Sequence, residues 1–148
     1  MIYLKFSQKW ENNFRTDHPR LEFYKPLKDT FGYEAYLDLR NYESRKSISK
    51  LRFSTHTLEV ETGRHSNKPR HERLCSLCDL NEVETEEHFL IKCNTYSMLR
   101  NIYNFDEIQT GKNLMINTAP NLLGLYIAEA FKFRKLALDM KNNIRSST

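Results

Sequence analysis

Glycine and proline are scarce in this chain, four of each. A sheet sandwich built on many tight turns needs more of both, so the composition favours helix. Cysteine is scarcer still: three residues, all between positions 75 and 93. An odd count excludes a secreted disulfide framework, and reduced thiols point to an intracellular protein, nuclear or cytoplasmic, whose sulfurs bind metal. Long apolar runs are missing. The most apolar stretch, residues 119–131, is too short to span a bilayer and contains Asn121 and Glu129, and the first residues turn polar too soon for a signal peptide. No membrane partner is expected. No internal repeat or low-complexity tract is present.

What the chain does contain is aromatic and charged. Nine Phe and eight Tyr supply large buried areas to a sequence whose hydrophobic fraction is 39%. At 148 residues the chain suits one domain, 1–148, mainly α, small and helical. Its zinc-binding segment is expected at 64–96, and residues 142–148 are expected to fray. The formal charge of +4 is unevenly spread. Residues 40–73 hold nine Lys or Arg against four Glu, and residues 79–87 hold five acids and no base.

Periodicity places a first helix from Tyr3 to about Phe14, with Phe6, Trp10 and Phe14 four apart, broken at His18-Pro19. Leu21 to Thr30 reads as a short helix closed by Gly32, and 33–39 as a further turn or connector. A helix is expected over 42–57, with Ile48, Leu51 and Thr55 on one face. Leu58 and Val60 alternate with Glu59 and Glu61, the pattern of a short extended piece closed by Gly63. Residues 64–73 read as a basic loop. Asn81 and Glu84 form a capping pair for a helix through about Lys92, with Glu82, Glu84, Glu86 and Glu87 favouring its macrodipole. Helix continues over 96–103, and Gly111 and Asn113 mark a loop. Thr118 and Pro120 open a long final helix, with Leu122, Leu125, Tyr126, Glu129, Phe133 and Leu136 as its stripe toward the core.

The sharpest signal is the spacing C-x2-C-x9-H-x4-C, formed by Cys75, Cys78, His88 and Cys93. Zinc takes four soft or borderline donors in a tetrahedron, and a C-x2-C turn can offer two thiolates to one ion. Three thiolates and one imidazole fill that sphere and leave no position for water, so the expected zinc is structural, with no catalytic residue and no small-molecule substrate. His71 is the alternative fourth ligand, though Arg70 and Arg73 flank it with positive charge. A redox C-x2-C would open a helix after a strand, and no strand pattern precedes Cys75.

Directly before the cysteines, Arg45, Lys46, Lys50, Arg52, Arg64, Lys68, Arg70 and Arg73 form a positive block. Cations that neutralise phosphates release counterions and give affinity without sequence reading, so RNA or DNA is the expected partner. His56, His65 and His71 could add hydrogen bonds, and Tyr42 or Tyr96 could stack on a base. An ordinary solvated surface is the other reading of the same charge.

The run Ile48 to Arg64, then Pro69-Arg70, Leu74-Cys-Ser-Leu-Cys78, Glu84-Thr-Glu-Glu-His-Phe-Leu-Ile-Lys-Cys93 and Tyr96 resembles the C-terminal zinc-binding region that follows the reverse transcriptase in LINE-type (non-LTR) retrotransposons of animals. Leu21-Glu-Phe-Tyr-Lys25, Glu34-Ala-Tyr-Leu37 and Ala130-Phe-Lys-Phe-Arg134 fit the same region, so the resemblance spans about residues 10–135. It departs at Asn94, where family members usually carry proline. The resemblance implies Cys75, Cys78, His88 and Cys93 as ligands and an accessory nucleic-acid role in retrotransposition. A polymerase needs paired carboxylates holding two metals. The chain has neither an Asp-Asp pair nor the length for one, so no enzyme is expected. A scaffolding module that docks a reverse transcriptase or another protein through the final helix is the second expectation.

Overall fold

The structure is a computed structural model and describes residues 2–16 and 21–146. It is mainly α. Helix α1 spans Ile2–Arg15, α2 Tyr42–Arg52, α3 Glu59–His65, α4 Ser97–Ile102, α5 Gly111–Asn117 and α6 Pro120–Ser146, with short 3-10 turns between them and a π-helical turn at His88–Lys92. Among the described residues the only extended pairing is one antiparallel bridge, Leu74 to Val83. No described helix is long and apolar enough to cross a membrane. The break expected at His18-Pro19 lies outside the described residues.

The core lies where α2 crosses α6. Asn41 starts α2 by accepting the Ser44 amide on its side-chain oxygen at 3.0 Å. The helix buries Ser44, Ser47, Ile48, Leu51 and Arg52, then stops before 57 because Ser54 adopts a left-handed φ of 50°. Against it lie Leu123, Gly124, Tyr126, Ile127, Ala130 and Arg134 of α6. The helices touch at Gly124, where an added Cβ would stand 2.6 Å from the Ser44 Cβ.

The small residues Gly124 and Ala130 therefore set which way α6 faces. The stripe expected in the core is mostly outside: Leu122, Leu125, Phe133 and Leu136 are 39%, 42%, 48% and 57% exposed, and only Tyr126 is buried. α6 also continues through 142–146, where fraying was expected. Thr118 ends α5 rather than capping α6.

The acidic run does not serve a helix of its own. Asn81 takes a left-handed turn (φ 52°), and the helical backbone begins only at Glu86. Each acid is spent elsewhere. Glu84 is buried and takes both ends of the Arg134 guanidinium at 2.7 and 2.6 Å. It also accepts the Glu59 amide at 2.8 Å, which makes the stretch expected to be extended into the first turn of α3. Gly63 consequently sits inside α3. Glu87 accepts the Gly111 amide at 2.7 Å and starts α5 where a loop was expected. That approach is close: a Cβ at 111 would stand 2.6 Å from the Glu87 carboxylate, which would have to shift. Glu86 holds the buried His56 ring at 2.9 Å.

Before α2 the chain is tied by Glu34 and Arg52. Arg52 is buried, pairs with Glu34 at 2.7 Å, and lies between the Tyr24 and Tyr36 rings at 5.3 and 5.4 Å. Lys28 reaches Glu34 from the other side at 2.7 Å. The segment expected as a helix over 21–30 has only a 3-10 turn, Lys25–Leu27, with a second at Ala35–Asp38. Trp10 stacks on Phe14 at 4.4 Å, and Phe14 meets Tyr24 edge-on at 5.5 Å, which seats α1 on this segment.

Arg134→Met leaves the Glu84 carboxylate buried without its partner. Its expected cost is about 3–5 kcal/mol, read as a lower urea midpoint at constant slope. An unmoved midpoint contradicts the role given to this pair.

Candidate metal centre

Two short segments of chain meet at the cysteines, the loop with Cys75 and Cys78 and the turn with His88 and Cys93. The Leu74–Val83 bridge closes the loop that carries Cys75 and Cys78, with the Cys75 amide donating to the Glu82 carbonyl at 2.9 Å. Thr85 starts the next helical turn by accepting the His88 amide on its hydroxyl at 3.1 Å. That turn is π-helical: the Cys93 amide bonds the His88 carbonyl, five residues back, at 2.8 Å. In an α-helix residues five apart diverge by about 140° around the axis. The wider i→i+5 closure brings His88 and Cys93 toward one side. The carbonyl of Leu90, in this turn, takes the Tyr126 hydroxyl of α6 at 2.7 Å.

The outcome is a single cluster. One donor atom from each of Cys75, Cys78, His88 and Cys93 lies within 4.8 Å of every other. The Cys75 and Cys93 sulfurs are 3.9 Å apart, and the Cys78 sulfur is 3.4 Å from His88 Nε2. Donors about 2.3 Å (sulfur) and 2.0–2.1 Å (nitrogen) from a tetrahedral centre stand about 3.8 and 3.6 Å apart. The measured separations fit, and the cluster is compatible with a four-coordinate metal site. Cys75, His88 and Cys93 are buried and Cys78 lies at the edge. His71, the alternative ligand, is on the surface beside Glu72 at 3.7 Å, outside the cluster.

The surrounding bonds suit anionic sulfur. The amides of Leu77, Leu80 and Thr95 each bond the sulfur two residues earlier, at Cys75, Cys78 and Cys93. Hydrogen bonds from Cys75, His88 and Thr95 lower the pKa of Cys93 in spite of its burial. The contact with Cys93 and burial both push the Cys75 thiol up. Burial raises Cys78. For His88, burial pulls the pKa down, but the hydrogen bonds to Cys93 and Glu82 carry it above its ordinary value. A metal binds cysteine as thiolate, so its affinity for the cluster falls as pH falls.

Four supporting residues were not visible in the spacing. Glu82 lies 3.2 Å from His88 Nδ1, which fixes the ring and leaves Nε2 for the cluster. Thr95 donates to the Leu77 carbonyl at 2.8 Å, and Asn94 donates to Asp79 at 3.2 Å. Asn94, in the place of the expected proline, thus clasps the C-x2-C loop to the exit turn. Lys141 of α6 donates to the Ser76 carbonyl on the same loop. The only sequence signal for Glu82 is a carboxylate six residues before the histidine.

The positive block is divided. Arg52 is spent on Glu34. Arg73 lies across Gly63 and donates to the Lys68 and Val60 carbonyls at 2.8 and 2.9 Å, so it too is an internal strut. Arg64 pairs with Glu61 at 2.6 Å, and Arg70 meets the exposed Glu22 at 3.0 Å. Arg45 donates to the Leu39 carbonyl at 2.6 Å, and it and Lys46 lie over the exposed Tyr42 ring. Among the described residues no carboxylate pairs with Lys50 or Lys68. Tyr96 is 1% exposed and His56 is buried, so neither can meet a base; His65 and His71 are exposed. Residues 64–73, expected as loop, begin inside α3 and include a 3-10 turn at Arg70–Glu72.

Comparison of the chain with family models, with curated proteins and with solved structures found no match in any of the three.

Glu82→Gln weakens the hold on the His88 ring. Metal affinity, measured by competition with a chromogenic chelator, is expected to fall about 10–100-fold while the metal-saturated protein stays folded. Unchanged affinity contradicts the part given to Glu82.

Proposed function

We propose that this chain is a zinc-stabilised nucleic-acid-binding module, an accessory domain of the retrotransposon reverse-transcriptase kind without the polymerase itself. The observation that carries it is a closed set of four soft donors in a chain whose partly exposed lysines and arginines are concentrated just before it in sequence. Three thiolates and an imidazole favour zinc over harder ions, and four protein ligands make the ion structural. The site offers no open coordination position for a substrate or a reactive water, so the ion serves the fold rather than a reaction. The cations of the block left for a partner, half-buried Arg45, Lys46, Lys50, Arg64 and Lys68 and exposed Arg70, are the phosphate contacts in this reading. Arg52 and Arg73 support the fold. The resemblance in the sequence supports the retrotransposon origin.

The test is fluorescence anisotropy of the zinc-loaded chain with labelled RNA and DNA over a salt series. Binding is expected to weaken linearly in log–log form, by about 0.7 per phosphate contact on single strands and 0.9 on duplex DNA. No binding at low salt, or binding indifferent to salt, contradicts the reading.

One observation favours a second reading, a protein-docking module. Leu122, Leu125, Phe133, Leu136, Met140 and Ile144 recur at helical spacing on α6 and are exposed, as are Met98 and Ile102 on α4. An apolar strip of this size is unusual on a free surface. Under this reading the isolated chain self-associates in sedimentation, and Leu136→Glu with Met140→Glu relieves it. A monomer at all concentrations speaks against it.

A further inference from the structure

α2 and α6 touch at Ser44 and Gly124 and leave a groove of about 600 Å³ further along. Lys50 lines one wall, and Lys132 and Lys135, from α6, line the other. The two α6 lysines lie far from the basic block in sequence, and only the packing of α6 on α2 joins them to it. Ser47 and Thr57 add hydroxyls.

The charge in the groove is not spent internally. Arg134 also lines it but is taken by Glu84, and the His56 ring is held by Glu86. Two acids border the groove, Glu43 and Asp139. Glu43 faces Lys46 at 3.7 Å. Among the described residues none of Lys50, Lys132 and Lys135 lies in an ion pair or side-chain hydrogen bond. Three unspent cations on two walls make a track for a polyanion.

The shape selects which polyanion. The groove is a surface cleft lined from both helices, so a flexible single strand can follow it where a rigid duplex would rest on its rim. The aromatic ring in the groove, Phe131, is covered by Phe89 at 4.7 Å and by His56 at 6.5 Å, both near-parallel. No ring face is left for a base to stack on, so the contact is to backbone and indifferent to sequence.

We infer that the α2–α6 groove holds the phosphodiester backbone of a single nucleic-acid strand, with Lys50, Lys132 and Lys135 as its phosphate contacts. This rests on the nucleic-acid reading above and names where and in what form the partner binds.

The experiment uses the full zinc-loaded chain and a fluorescein-labelled 20-nucleotide RNA of mixed sequence. Lys50→Gln/Lys132→Gln/Lys135→Gln is compared with Lys5→Gln/Lys9→Gln/Lys112→Gln, which removes equal charge elsewhere. The groove triple variant is expected to reduce the log–log salt slope by about 2, three single-strand contacts, and the control triple to leave it near wild type. Restoring charge with Lys50→Arg/Lys132→Arg/Lys135→Arg is expected to restore the slope, which separates lost contacts from lost folding. A duplex of the same sequence is expected to compete about tenfold less well, although its higher charge density would favour it on electrostatics alone. If the wild type binds and the groove triple matches it, or the duplex competes equally, the groove assignment is overturned and the nucleic-acid reading stands. If the wild type does not bind, both are overturned.

Discussion

Everything near the centre of this protein depends on bringing three sulfurs and one imidazole nitrogen to a common point. The two cysteines of the first pair lie on a loop closed by a single β-bridge, with exposed Ser76, Asp79 and Leu80. Such a loop has little apolar surface with which to hold itself. The clasps that reach it, from Thr95, Asn94 and Lys141, are individually modest hydrogen bonds. A metal ion shared by four side chains adds a bond of another order, and in small metal domains that binding energy is folding energy.

The site is joined to the helical body through Glu84. It stands one residue past the bridge, takes the Arg134 guanidinium of α6, and accepts the first amide of α3. A buried ion pair is seldom a net source of stability, because desolvation offsets the attraction. Its value here is register: Arg134 can meet Glu84 in one rotation of α6 only. That same rotation puts Tyr126 on the Leu90 carbonyl and turns Leu122, Leu125, Leu136 and Met140 outward. The geometry of the donors and the exposure of the apolar strip thus share one cause.

The clustering of the three cysteines with His88 was legible from the sequence because ligand chemistry is local and restrictive. Few residue types bind soft metals, and Cys75, Cys78, His88 and Cys93 lie at short spacings. The π-helical turn that aligns the last two left no mark in the sequence. The helix-rich class was equally visible, as were α1, α4 and the existence of a long final helix. Its facing was not, because burial followed the small Gly124 and Ala130 rather than the large leucines. α3 and α5 were missed for a shared reason. Each is a seven-residue helix whose first amide is taken by a carboxylate from the acidic run, Glu84 for α3 and Glu87 for α5. Those acids look like dipole-favouring residues of their own helix until the tertiary partners are known. The positive block was visible as composition, but composition cannot separate a buried strut such as Arg52 from a free lysine such as Lys50.

The most direct measure of the central claim is the metal content of the purified chain by mass spectrometry, wild type beside Cys93→Ser, with thermal melting in the presence of a chelator. The account predicts one zinc per wild-type chain, reduced or lost in the variant, and a large fall in melting temperature once the ion is withdrawn. A metal-free wild type that melts at the same temperature with and without chelator contradicts it.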